Sequence, residues 1–387
     1  MTPRPKSAPT HILIGGAGAP NYGDELIVKG WLEQLAQPRH DGEAFIFCEN
    51  SADTSRKFHI TPKHPLRNRL AFRDDFNRFA KSVQDLNFWQ QVERGFTFMR
   101  DFGFLQNGYK GTRDLFDARS FHLHGGGYLA GLWNEKGFIL GLTASFAKLY
   151  GIPTSATGIG FGPFDSDCPD PARFAEILSH FQQFETRDAD SHQLLTALAP
   201  DAGIIDGVDD TFLLPNDRIF RRDSTKRRLH LSLITRYLKD IPPAFWPWLV
   251  EQSAAFDEVV FWVSFPWEDR EAIARAQAEI PRCSIFTARE LVHFRPPIGE
   301  DDVFLTQRYH VHLAAARAGA RGFHLAHNGY YRQKHESIVA LGSGITALDF
   351  TDLPGLGNLP ASSPLDETGL HERKIRIYAS CLAASPA

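Results

Sequence analysis

Phe304-Leu-Thr-Gln-Arg308-Tyr-His310-Val-His-Leu-Ala-Ala-Ala-Arg-Ala-Gly319 runs from an apolar strand end into an Ala-rich helix that closes on a glycine. A short apolar run, then helical spacing, then a helix-ending glycine is the signature of one strand–helix unit. It also places a permanent cation, Arg308, and a titratable imidazole, His310, where the strand gives way to helix N-terminal amides. That combination suits a small, dense anion that must also exchange a proton.

The same rhythm recurs along the chain. His11-Ile-Leu-Ile-Gly-Gly16 reads as a buried strand, and a Gly/Pro/Asn turn follows it. From Asp24 to Leu35, apolar Leu26, Ile27, Trp31, Leu32 and Leu35 fall at helical spacing. Ala44-Phe-Ile-Phe-Cys48 reads as the next strand, and Ser120-Phe-His-Leu-His124 as a strand ending in Gly125-Gly126-Gly127. A helix at about 136–150, a strand at 153–157 and the glycine turn Gly158-Ile-Gly-Phe-Gly162-Pro163 come next. After a linker at 215–228 the rhythm restarts: strands at 229–234 and 257–263 and near 284–287, 302–306 and 321–325, with helices from 268, at 308–318 and at 332–341. Strands alternating with helices imply an α/β protein with parallel sheets. The expected architecture is two Rossmann-like domains facing across a cleft, one over residues 1–220 and one over 221–387. A helix in the last twenty residues would pack back on the first domain. Residues 50–115, rich in Arg and aromatics with helical stretches near 72–93, read as an insertion in the first domain. Its Phe residues would pack inward on a helix pair, or else present a basic aromatic surface to a glycan or membrane headgroup.

Composition excludes several classes. The chain has 387 residues, 43% of them hydrophobic and 23% charged, with a net charge of -4. That length suits two domains, and that charge does not favour nucleic acid. The cysteines Cys48, Cys168, Cys283 and Cys381 are far apart, which fits buried thiols in a reducing compartment better than a disulfide framework. The polar N-terminus has no secretory h-region, and no apolar run approaches the ~18 residues of a spanning helix. A cytoplasmic protein follows, with peripheral contact at the inner membrane face left open. His310 and His312 lie on different faces of one helix without a carboxylate or Cys pair, so no metal site is expected. Gly15-Gly-Ala-Gly-Ala-Pro-Asn21 stands where a dinucleotide fingerprint would, but Asn21 replaces its last glycine, so NAD and FAD are not expected.

Other motifs sit at strand ends. Asp24 and Glu25 open a helix, where carboxylates are favoured, and Asp24 is also a plain capping residue. The Gly125–Gly127 run would let a ligand approach the backbone. Arg187 precedes Asp188 at a strand-to-helix junction, where it would clamp a carboxylate or phosphate or else pair with the Asp. Asn328-Gly-Tyr-Tyr-Arg-Gln-Lys334 follows a later strand, so Lys334 would open a helix facing the same sheet edge as Arg308 and His310.

Taken in order, Asn21-x-Gly-Asp24-Glu, Gly-Gly126-Gly127, Gly158-x-Gly-x-Gly-Pro, Arg187-Asp-x-x-Ser, Arg308-x-His310 and the downstream Lys334 resemble the polysaccharide pyruvyl transferase family from about residue 12 to 345. The resemblance implies a GT-B-like fold and transfer of pyruvate from phosphoenolpyruvate to a sugar of a cell-surface polysaccharide or its precursor, as a ketal. It implies that Arg187, Arg308 and Lys334 hold the donor and that His310 is the catalytic imidazole. Asn21, Asp24, Gly126 and Gly127 would then serve the acceptor, a glycan or a lipid-linked sugar. No cofactor is required beyond phosphoenolpyruvate as substrate. A GT-B glycosyltransferase using a nucleotide sugar is the second reading, although no Glu-x6-Glu pattern supplies its ribose-binding carboxylate. A glycan-binding protein without catalysis is the third. Acceptor, linkage and oligomeric state are not legible.

Overall fold

A computed structural model of the chain describes residues 10–37, 43–46, 66–68, 83–101, 118–131, 136–326 and 328–383. Most of the 50–115 insertion, Cys48 and the first nine residues lie outside them. Contacts divide the chain into two compact units. The first comprises 1–19, 27–213 and 372–387, and the second 20–26 and 214–371.

In the first unit the strands are β1 (Thr10–Ile14), β2 (Glu43–Ile46), β3 (Leu66–Asn68), β4 (Ala118–Leu123), β5 (Gly126–Leu129), β6 (Thr154–Phe161), β7 (Gln183–Thr186) and β8 (Ile205–Asp206). They form one parallel sheet in the order β3-β2-β1-β4-β6-β7-β8, with β5 added beside β6. Side chains alternate across a strand, and β1 shows the consequence. Ile12 and Ile14 join a core cluster with Phe45, Phe121 and Phe146, while Leu13 joins a separate cluster with Ile27, Trp31 and Tyr378. A sheet covered on both faces needs apolar residues on both, which is why such strands read as continuous hydrophobic runs.

The helices of this unit are α1 (Tyr22–Leu35, from Ile27 onward), α2 (Phe88–Asp101), α3 (Lys136–Tyr150), α4 (Pro171–Leu178) and α5 (Ala189–Leu198). Strand β3 and helix α2 belong to the described part of the insertion; of the helical stretch expected near 72–93, residues 72–82 lie outside the described residues and 88–93 are helical. In α2, Phe88, Trp89, Val92 and Phe96 are buried in the core with Phe138 and Phe161, so its aromatics pack inward. The α2–α3 crossing is close: a Cβ on Gly141 would lie 1.9 Å from the Val92 carbonyl oxygen.

The second unit carries β9 (Arg221–Arg222), β10 (Arg228–Ser232), β11 (Glu258–Trp262), β12 (Cys283–Phe286), β13 (Pro297–Ile298), β14 (Val303–Thr306), β15 (Arg321–His324) and β16 (Thr346–Ala347). Its parallel main sheet has the order β12-β11-β10-β14-β15-β16, and β9 pairs with β13 apart from it. The helices are α6 (Phe245–Ser253), α7 (Pro266–Glu279), α8 (Ala288–His293), α9 (Tyr309–Ala318), α10 (Gly329–Ala340) and α11 (Glu367–Ala383), the last running from this unit into the first. Leu229, Leu231, Val259, Phe261, Val303 and Leu305 form one core face with α6 and with Ala272 and Ala276 of α7. On alternate positions His230 stacks on Phe304, accepts from the Trp262 indole at 2.9 Å and pairs with Asp302 at 3.0 Å.

Both units are Rossmann-like α/β layers, as the alternation of strands and helices implied. In each, the chain builds outward from a first strand on one side and then crosses to its other side, between β1 and β4 and between β10 and β14. Such reversals open a crevice at the carboxyl ends of the strands, where ligands of open α/β sheets bind.

Candidate functional site

Arg308 and His310 follow β14, at the reversal point of the second sheet. Arg308 is the N-cap of α9, with extended backbone, and Gly319 ends the helix in a left-handed conformation. The Arg308 N–H donates to Thr306 Oγ1 at 2.9 Å, which fixes the exit from the strand. Its guanidinium does not stand alone. Nη1 donates to Glu268 Oε2 at 2.9 Å, and Nη2 donates to Asp269 Oδ1. Glu268 and Asp269 are in the first turn of α7, after β11. Burial works against the Arg308 charge, but Asp269 and Glu268 offset it and hold its pKa above the usual arginine value.

Asp269 is fully buried, and its other oxygen accepts the N–H groups of Ser264 and Phe265, each at 2.8 Å. The Ser264 carbonyl in turn accepts the Tyr22 N–H at 2.8 Å. This bond lies within the second unit, to which the start of α1 belongs. Sequence order assigned Asn21 and Asp24 to the first domain; their contacts group them with the second. Asn21 Oδ1 accepts the Gly23 N–H at 3.2 Å, and Asp24 is half-buried in the first turn of the helix. Gly23 lies against the His310 ring: a Cβ there would sit 1.8 Å from Nδ1 and 2.4 Å from Cε1 and Cγ.

Lys334 does not open a helix. Asn328 caps α10 by accepting the Tyr331 N–H at 3.0 Å, so Lys334 falls in the second turn. Its ammonium lies 3.8 Å from the centroid of the Tyr330 ring and donates to that phenol. Behind these residues His312, His324 and His335 stack as a buried trio, with His312 Nδ1 and His335 Nδ1 at 2.9 Å and His312 Nε2 on Ser343 Oγ at 2.9 Å. The trio joins α9, β15 and α10, which carry or flank Arg308, His310 and Lys334. Burial pushes His312 and His335 well below the ordinary imidazole value and His324 down to about 4.

The remaining sequence candidates lie in the first unit. Arg187 follows β7 and is almost fully buried, with Asp188 at 3.6 Å and Asp209 at 3.5 Å from its guanidinium. Asp188 also caps α5 through the Ser191 N–H. Gly126 and Gly127 belong to strand β5 rather than to a turn, because this glycine-rich stretch pairs with β6, and β6 continues through Phe161 where a turn was expected from Gly158. The turn that remains, at Gly125, is held by Asp210, whose Oδ2 accepts from Gly125 N at 2.7 Å, Thr157 Oγ1 at 2.9 Å and Trp31 Nε1 at 2.9 Å. Lys374 of α11 sits between Asp210 Oδ1 at 2.5 Å and Glu185 Oε2 at 2.6 Å. Glu185 also accepts from Gly158 N at 3.1 Å and Val208 N at 3.0 Å. Burial alone would lower the Lys374 pKa; the two carboxylates raise it above the ordinary value.

Sequence reasoning did not find Glu268, Asp269, Asp210, Glu185 or Lys374, and it met Gly23 only as part of the Asn21-x-Gly-Asp24-Glu motif, without a role. For the first two a signal existed, an acidic pair at a helix start on the same sheet edge as Arg308. Among the described residues, no cluster of three His, Cys, Asp or Glu side chains could hold a metal ion, and no helix is long and apolar enough to cross a membrane.

Two Rossmann-like α/β units of this kind define the GT-B-like class. Solved structures agree on the fold. A UDP-GlcNAc 2-epimerase from Neisseria meningitidis bound to UDP-GlcNAc is similar with a TM-score of 0.54 and 11% identity, over 97% of this chain and 99% of that one. A putative UDP-N-acetylglucosamine 2-epimerase from Listeria monocytogenes is similar with a TM-score of 0.53 and 10% identity, over 97% and 91%. At these identities the likeness is one of fold. No curated protein matches the sequence. The family model described as polysaccharide pyruvyl transferase matches residues 21–329, most of the chain, and the chain belongs to that family.

Proposed function

We propose that the protein transfers pyruvate from phosphoenolpyruvate to two hydroxyls of a sugar in a polysaccharide or its precursor, forming a cyclic ketal and releasing phosphate. The observation that carries this reading is Arg308 and His310 together at the carboxyl edge of β14, in a chain of the pyruvyl transferase family.

The donor holds a carboxylate and a phosphate on three carbons. Arg308, Lys334 and Arg187 are the proposed donor-binding residues, and charge-assisted bonds are worth roughly 1.5–3 kcal/mol each. Glu268 is the partner that a donor oxygen would replace on Arg308, because it is partly exposed, whereas buried Asp269 would keep the guanidinium oriented. His310 would deliver a proton to the methylene carbon, and the adjacent carbon then becomes electrophilic. A sugar hydroxyl adds to that carbon, a second hydroxyl displaces phosphate, which leaves with that hydroxyl's proton as hydrogen phosphate, and the ketal closes. Proton transfer by a positioned imidazole is typically worth ~10²–10⁴-fold in rate. Asp24 is the proposed acceptor of a hydroxyl proton, and Asn21, Gly126 and Gly127 are proposed acceptor contacts.

The test is phosphate release from phosphoenolpyruvate with a panel of glycan acceptors, for the wild type, His310→Ala and Arg308→Ala. Both variants should lose turnover by ~10²-fold or more. Wild-type rates in either would remove its assignment. Thermal stabilisation by UDP-sugars and not by phosphoenolpyruvate would favour the nucleotide-sugar reading.

A further inference from the structure

We infer that Gly23 is a positioning residue for His310: having no side chain, it lets the Nδ1 edge of the imidazole pack against the start of α1 and fixes the ring there. The inference rests on the pyruvyl-transfer reading and gives Gly23 a task separate from the acceptor contact proposed for Asn21.

The geometry is a closed circuit. Asp269 binds Arg308 on one side and the Ser264 and Phe265 amides on the other. Ser264 holds Tyr22 through its carbonyl, and the Tyr22 ring stands edge-on to Trp262 at 5.8 Å. Tyr22 is fully buried, so the backbone that follows it has little freedom. That backbone places the Gly23 Cα on His310, two residues beyond Arg308, where the circuit began. The three ring atoms a Gly23 side chain would meet are Nδ1, Cε1 and Cγ, all closer than any real Cβ contact. Backbone is a poor partner to push aside, so a methyl at position 23 must turn the ring. A displacement of about 1 Å at a reacting group can cost ~10²-fold in rate.

The experiment is a double-mutant cycle of Gly23→Ala and His310→Ala, read by phosphate release from phosphoenolpyruvate with the acceptor panel and by the NMR signal of the His310 Cε1 proton. Alanine is tolerated in a helix's first turn, and in the double variant the truncated side chain leaves room for the methyl. Gly23→Ala should lower kcat ~10²-fold with KM for phosphoenolpyruvate changed less than about threefold. In the His310→Ala background the same change should cost less than about twofold, because its target is gone. The His310 signal, identified by its loss in His310→Ala, should move in Gly23→Ala. Multiplying losses, or a Gly23→Ala enzyme at wild-type rate beside an inactive His310→Ala, would overturn the inference and leave the pyruvyl-transfer reading standing. Full turnover by His310→Ala would instead remove that reading. The NMR signal would then decide alone, and an unmoved resonance in Gly23→Ala would end the inference.

Discussion

The guanidinium of Arg308 is bonded to the carboxylate of Asp269, which is itself shut away from solvent and held by two backbone amides. An arginine that looks in sequence like a waiting anion trap is therefore already partnered. Burial holds the Asp269 carboxyl above its ordinary value, while Arg308 and the two amides draw it back toward the charged form. The pair is a fixed strut between α7 and α9, and its outer member, Glu268, is the exchangeable one.

Breaking that strut should be costly. Asp269→Ala leaves the Arg308 charge without its buried counterpart, and removal of one member of a buried pair typically costs ~3–5 kcal/mol. Urea denaturation should show a loss of that order for Asp269→Ala and of less than about 1 kcal/mol for Glu268→Ala, whose partly exposed bond is screened by solvent. Equal losses in the two variants would show that Asp269 is not the structural member.

Lys374 provides the corresponding test in the first unit. Lys374→Met removes the only cation bonded, among the described residues, to Glu185 and Asp210 and leaves two buried carboxylates facing each other. Destabilisation of ~3 kcal/mol or more is expected, together with proteolytic release of the 367–383 helix. Adding Glu185→Gln and Asp210→Asn should restore part of the loss: the Asn oxygen can keep the bonds from Gly125, Thr157 and Trp31, and the Gln oxygen one of the two backbone bonds of Glu185, without the charge. A triple variant no more stable than Lys374→Met would argue against charge as the cause.

Much of this architecture is legible in the chain because buried parallel strands such as Leu229–Leu231 and Phe304–Leu305 are apolar on both faces. Helix α9 announces its end with Gly319, and the inward face of α2 follows from Phe88, Val92 and Phe96 at helical spacing. Strand β5 is not legible: Gly126 and Gly127 have no strand propensity, and only pairing with β6 makes them strand. The residues that surround Arg308 and His310 are hidden for a related reason. Asp269, Ser264 and Gly23 come from loops whose meeting is decided by strand order, and strand order is not a local property of sequence. Lys334 was misplaced by a few residues because Asn328, an effective cap, opens the helix earlier.

The buried histidines predict how stability responds to acid. Burial lowers His122 to about 3 and His124 to about 4, and His324 to about 4. The unfolded chain takes up these protons near the ordinary imidazole value of about 6.5. A folded state that binds fewer protons than the unfolded one loses stability as pH falls. The contribution is therefore intact above about pH 6.5 and declines from there to about pH 4 for His124 and His324 and to about pH 3 for His122. Each such histidine adds up to one proton to the slope, about 1.4 kcal/mol per pH unit. His324→Phe should flatten the slope of unfolding free energy between pH 6 and 4.5 by about one proton relative to wild type. An unchanged slope would mean that His324 is protonated in the folded protein.

Lys334 separates charge from packing at the proposed donor site. Its ammonium rests over the Tyr330 ring, so the side chain is aimed before any ligand binds. A cation over an aromatic face is itself worth ~0.5–2 kcal/mol. Lys334→Met keeps most of the stem and removes the charge, whereas Tyr330→Phe keeps the ring and removes the phenol that the ammonium bonds. If Lys334 contacts phosphoenolpyruvate, calorimetry should show Kd rising roughly 10- to 150-fold for Lys334→Met, the equivalent of one charge-assisted bond. Tyr330→Phe should raise it less than about fivefold, because the ring that aims the ammonium remains. The effect of Lys334→Met should also shrink as salt is raised, since screening weakens the wild-type contact and has nothing to act on in the variant. A Kd unchanged in Lys334→Met at low salt would remove Lys334 from the donor site and leave it as a helix-surface cation paired with Tyr330.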